Sequence, residues 1–168
     1  ILYKEFFVNL TVGCHVSAAG GVWNAPKNAA ALDCEVFQIF TRPPMGGKAP
    51  VIDLEVVEKF QAEMVKFNLS LNPSPRQGRE RTQFVVHCPY FVNFGSAKKS
   101  TFHGSISVVA EELLRANLLG AKFVMTHLGS FKDLGQEKGM TQAKKGLQEV
   151  LKKYESSIKN SKPTQFLL

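Results

Sequence analysis

Five short runs of apolar and β-branched residues, near Val8–His15, Glu35–Phe40, Gln83–His87, Lys122–His127 and Thr164–Leu168, are separated by stretches with helical periodicity. Each run is short enough for a strand buried on both faces, and strand–helix alternation of this kind implies a parallel sheet in an α/β chain. A first helix is expected across Val22–Leu32. In the second, Asp53 serves as N-cap, Val57, Phe60, Met64 and Phe67 share one face, and Lys66 lies in the last turn. Ile106, Val109, Leu113 and Ala116 repeat that spacing before Gly120, placed for a left-handed cap. A final stripe of Leu147, Val150, Leu151, Tyr154 and Ile158 ends before Pro163. Two architectures fit this order, an open doubly wound sheet and part of a (β/α)8 barrel. The absence of a GxGxxG or Walker-type loop after any strand lowers the nucleotide-binding option. Complete barrels take about 250 residues, so four helices and five strands are little more than half of one.

The 168 residues suit a single domain over 1–168, with LNPSPRQGRERTQ at 71–83 as an exposed insertion loop. Lys and Arg total 21 against 14 Asp and Glu, a net charge of +7 that favours polyanionic partners. Cys14, Cys34 and Cys88 lack metal-knuckle spacing and sit among apolar neighbours, as small buried thiols do in a reducing compartment. No run approaches the roughly 18 residues of a membrane span, and ILYKEFFVNL is too short and charged for a signal peptide, so a cytoplasmic protein without membrane contact is expected. The start at Ile1 and the apolar finish Gln165-Phe166-Leu167-Leu168 read as possible cuts.

The main chemical clue is that His15, His87 and His127 stand at the C-terminal ends of strands one, three and four. In parallel α/β folds those ends form the site, so the imidazoles should converge on one rim, where two of them could hold part of a tetrahedral zinc site. A lone strand-end histidine is more often structural; three together leave the readings even. His103 reads as a surface or packing residue. Gly20-Gly21 and Gly129-Ser130 could offer backbone N–H groups to an anion or simply make tight turns. Tyr90 and Phe91 could stack on bases or pack the rim, and Arg42, Lys48, Arg76, Arg79, Arg81, Lys98 and Lys99 could meet phosphates or solvent.

The segments GCHVSAAGGVWNA, FQIFTRPP, VVHCPYFVNFGS and MTHLGS, in this order at these strand ends, resemble the endonuclease IV family of zinc-dependent DNA-repair enzymes. The resemblance runs from about Gly13 to the end. It implies a (β/α)8 TIM barrel of which this chain holds about the first four βα units and strand five. It also implies a monomeric enzyme that binds duplex DNA at abasic sites and hydrolyses the phosphodiester on their 5′ side with three zinc ions. Carried over, His87 and His127 match the imidazole ligands of one zinc and are the catalytic and metal residues, whereas His15 supports them without ligating. Tyr90 and Phe91 match the loop that enters the DNA, and Arg42 joins them as a DNA contact. The family's bridging glutamate would follow Leu168, so this chain should hold at most one partial metal site and be inactive alone. Met45 and Gly47 stand where the family carries an Arg and often a Trp that probe the base stack. The rival readings are a sugar isomerase or epimerase of the same barrel type, and a fragment that binds DNA without cutting it.

Overall fold

In the computed structural model, residues 12–70, 83–158 and 164–167 are described. They form β1 (Gly13–His15), α1 (Asn24–Ala31), β2 (Val36–Ile39), α2 (Leu54–Ser70), β3 (Gln83–His87), α3 (Lys99–Leu119), β4 (Phe123–Met125), α4 (Gln136–Ser157) and β5 (Gln165–Leu167). The expected insertion loop lies outside the described residues but for Gln83, as does the start of the first apolar run.

All four pairings are parallel and the spatial order β1-β2-β3-β4-β5 equals the chain order. A doubly wound sheet must reverse direction at a switch point, and this one does not. With right-handed crossovers, winding in one direction puts every helix on the same side, as in a (β/α)8 barrel. The register sets Phe37 opposite Phe84 and Val86 opposite Val124 on the helix-facing side. Phe37 and Phe84 stack with centroids 5.4 Å apart, and Phe60 from α2 closes on Phe84 at 5.0 Å. Burying an aromatic ring as completely as Phe60, which is 0% exposed, contributes roughly 1.5–3 kcal/mol. Period-two alternation sends Gln38, Val85, His87 and Met125 to the other face.

Local signals set the helix ends. Asp53 Oδ1 accepts the Val56 N–H at 2.9 Å, the N-cap bond its position predicts. Gly120 adopts φ 81° and ψ 25°, so the Ala121 N–H reaches the Ala116 carbonyl at 2.9 Å and closes α3. Helix α2 runs on past Lys66 to Ser70. On α4, Val150 and Tyr154 are buried as expected, but Leu147 and Leu151 line an open apolar groove with Leu128 and Met140. The Tyr154 hydroxyl accepts the Thr164 N–H at 3.0 Å, and Thr164 Oγ1 donates to the Ala121 carbonyl at 3.0 Å, fixing the entry to β5.

Cys34 and Cys88 are buried, whereas Cys14, expected with them, is exposed on β1, the first strand of the described sheet. Its Sγ lies 3.6 Å from Cys34 Sγ.

Beneath the sheet, α3 buries a charge. Glu112 is 0% exposed; it accepts from Thr41 Oγ1 at 2.6 Å and from Arg42 Nε at 2.6 Å, with Arg115 Nε 3.4 Å away. Arg115 in turn donates to the Thr41 carbonyl at 2.5 Å and the Pro50 carbonyl at 2.7 Å, gripping both ends of the β2–α2 loop. Removing one partner from such a network leaves an uncompensated buried charge, at a cost of about 3–5 kcal/mol. Glu112→Ala should therefore lower the urea midpoint by that order of free energy; a midpoint equal to wild type would show that the network carries no net stability.

Candidate functional site

The face of the sheet opposite the helices carries the three strand-end histidines because their positions share the parity of Gln38 and Val85. His87 is buried, at 5% exposure, between exposed His15 and His127. Its ring centroid lies 5.2 Å from that of His127 and 6.2 Å from that of His15. The expected convergence on one rim is present.

Each ring is oriented by its neighbours. His87 Nδ1 is 2.5 Å from the Cys88 carbonyl oxygen; donating there leaves Nε2 as the unprotonated nitrogen. Burial lowers the His87 pKa, and the nearby His127 and His15 rings act in the same direction against the Cys88 carbonyl, so the imidazole is neutral at neutral pH. His15 Nδ1 donates to Gln38 Oε1 at 3.0 Å. His103 is exposed on α3, as a surface residue should be.

Tyr90, 55% exposed, stands over this cluster with its ring 5.4 Å from His87 and 6.4 Å from His127, stacked on the latter at 23°. Phe91, 41% exposed, follows it. The Tyr90 N–H donates to the Pro44 carbonyl at 3.0 Å, so the β3–α3 loop is tied to the β2–α2 loop. Met45 is 81% exposed at the tip of that second loop.

Arg42 corrects the sequence reading. Expected on DNA, it is 8% exposed, its Nε bonded to Glu112 and its Nη2 in an ion pair 2.9 Å from Glu111 Oε2. A guanidinium neutralised by two carboxylates and turned beneath the sheet is not presented to a phosphate. The residue stands next to the strand end, which the sequence shows, but the buried carboxylates that claim it lie some seventy positions away in α3.

Three participants were not singled out from the sequence. Phe40 packs against His15 at 4.4 Å, His87 at 5.0 Å and Tyr90 at 5.3 Å, forming the floor of the cluster. Its signal was available, an aromatic at the end of an apolar run. Glu112 and Arg115 fall in register with Val109, Leu113 and Ala116, and charges on the apolar face of a helix mark a buried network.

Two imidazoles with centroids 5.2 Å apart fit one edge of a tetrahedral metal site, and a second-nitrogen bond to a carbonyl, as at His87, is the usual support for a metal-binding histidine. No group of three or more His, Cys, Asp or Glu that could hold a metal is found among the described residues. Nor is any helix among them long and apolar enough to cross a membrane.

Burial pushes the Cys88 thiol, next to His87, up to about 12. Cys88 should therefore resist Ellman's reagent at pH 8 until the chain is unfolded. Peptide mapping that found Cys88 labelled as fast in the native as in the unfolded state would contradict this burial.

Comparison with known proteins bears on the family and the fold. The Xylose isomerase-like TIM barrel family model matches residues 26–159. A protein named probable endonuclease 4 from Nitrosopumilus maritimus is 31% identical over 141 residues, 84% of this chain and 47% of its own length. One of the same name from Cenarchaeum symbiosum is 32% identical over 153 residues, 90% of this chain and 49% of its own. The chain thus spans about half the length of the curated relatives it matches. Among solved structures, endonuclease IV from Thermus thermophilus superposes with a TM-score of 0.73 at 26% identity, covering 94% of this chain and 51% of that one. D-psicose 3-epimerase from Clostridium cellulolyticum gives a TM-score of 0.57 at 12% identity, covering 86% and 49%, a likeness of fold alone.

Proposed function

The chain belongs to the Xylose isomerase-like TIM barrel family, and from that premise we propose that it is the amino-terminal part of a DNA-repair endonuclease that incises the phosphodiester 5′ to an abasic site. The observation that carries this reading is the pairing of His87 and His127, 5.2 Å apart, beneath the exposed ring of Tyr90. Exposed rings beside the histidines suit the gap that a duplex opened at a lesion offers, and the net charge of +7 favours a polyanion over a neutral sugar.

In this reading His87, through Nε2, and His127 would hold a zinc ion together with further ligands of the complete protein. Zinc, when bound, supplies hydroxide at neutral pH and neutralises charge on the phosphodiester. The work of the chain itself is to position. The Cys88 carbonyl holds the His87 ring, and Gln38 and Phe40 hold His15 beside it, so that His15 limits the freedom of His87 without ligating. Tyr90 and Phe91 enter the base stack, and the +7 charge attracts the duplex. With Met45 and Gly47 on the β2–α2 loop, probing of the stack there is weaker than in the family, and Tyr90 and Phe91 carry more of the lesion contact. The complete enzyme works as a cytoplasmic monomer on abasic duplexes, and this chain by itself is inactive.

Two sets of substitutions in the complete protein test these roles. His87→Ala and His127→Ala should each lose zinc and incision of an abasic duplex together; full zinc content and turnover in either variant would reject the ligand assignment. Tyr90→Ala should keep its zinc but bind the abasic duplex more weakly by about 1–3 kcal/mol, the value of one base–aromatic stack. Unchanged affinity would remove Tyr90 from the DNA interface.

A further inference from the structure

Asn93 sits where the loop after His87 meets the loop after His127. Its Oδ1 accepts two backbone N–H groups, from Gly95 in its own loop at 3.0 Å and from Ser130 in the other at 3.1 Å. Beside it, the Phe94 N–H donates to the Leu128 carbonyl at 2.9 Å. Gly129 lies flat against the amide: at φ 89°, a Cβ there would come within 2.3 Å of Asn93 Oδ1 and 2.5 Å of its Cα. The contact requires a residue without a side chain.

Asn93 is itself held from behind. Its N–H donates to Ser105 Oγ at 2.8 Å, and that hydroxyl donates to the Thr101 carbonyl at 2.8 Å, which anchors the loop to α3. From α4, Gln142 Nε2 donates to the Phe94 carbonyl at 2.8 Å and to the Ser96 carbonyl at 2.9 Å. Both helices behind the histidine-bearing strands thus converge on this one loop.

We propose that Asn93 is a positioning residue that sets the separation and orientation of His87 and His127, and through them the affinity of the metal site. This rests on the metal reading above. A single oxygen with two lone pairs joins one N–H from each loop, so a shift of either loop breaks a bond at a half-buried site. A serine hydroxyl is too short to reach both donors, leucine offers no acceptor, and aspartate keeps the oxygen in place. The effect of outer partners on metal affinity sets the expected scale, about 10- to 100-fold.

The test uses the complete protein with Asn93→Leu, Asn93→Ser and Asn93→Asp. It reads cobalt(II) visible absorption, zinc affinity by competition with a chromophoric chelator, and the urea midpoint. In N93L, zinc affinity should fall about 10- to 100-fold with a changed cobalt spectrum, while N93D keeps both near wild type. N93S should lose affinity as N93L does and takes its place if the leucine variant does not fold. Wild-type affinity and spectrum in N93L or N93S, or a loss in N93D as large as theirs, overturns the assignment even if stability falls. A wild-type protein that binds neither cobalt nor zinc overturns the metal reading instead, and this assignment with it.

Discussion

A carboxylate with no solvent exposure must be answered by cations and donors, because ionising it in a medium of low polarity costs several kcal/mol otherwise. Glu112 is answered by Thr41, Arg42 and Arg115, and the geometry of the rim follows from that requirement. Arg115 directs its own donors to the Thr41 and Pro50 carbonyls, so the β2–α2 loop is pinned at both ends. Pro44, inside the pinned segment, accepts the Tyr90 N–H. The exposed ring over the histidines thus depends on a charge buried in α3.

The histidines obey a different constraint. Three imidazoles on one rim repel as cations, and burial of His87 among them favours its neutral form. A neutral ring with one nitrogen committed to a carbonyl presents its other lone pair in a fixed direction. That preparation is independent of any metal and is complete within this chain. Exposure of His15 and His127 on either side leaves room for groups from elsewhere to complete the cluster.

Features that act over a few residues were legible in the sequence. Asp53 and Gly120 act through bonds to backbone within one turn, and both caps form where their positions indicate. Strand three, Gln83–His87, has the expected bounds because its apolar run ends sharply in His87 and then Cys88-Pro89. Choosing between barrel and doubly wound sheet needed the strand order, which no local pattern carries. Arg42 was misread for the same reason: its exposure is decided by Glu111 and Glu112 on a distant helix, α3. The resemblance of VVHCPYFVNFGS identified the family but left unsaid why its asparagine stands there; the two bonds at Oδ1 supply a reason.

The division of the Glu112 network between two elements also bears on how such a loop could be exchanged between barrels. Thr41 and Arg42 travel with the loop, whereas Glu112 and Arg115 stay with the helix behind it. A chimera that receives only the loop inherits two donors without their acceptor, and one that receives only the helix inherits a buried carboxylate left with Arg115 alone. Loop and helix form a single transferable module, so recombination points in this fold belong on either side of both, not between them.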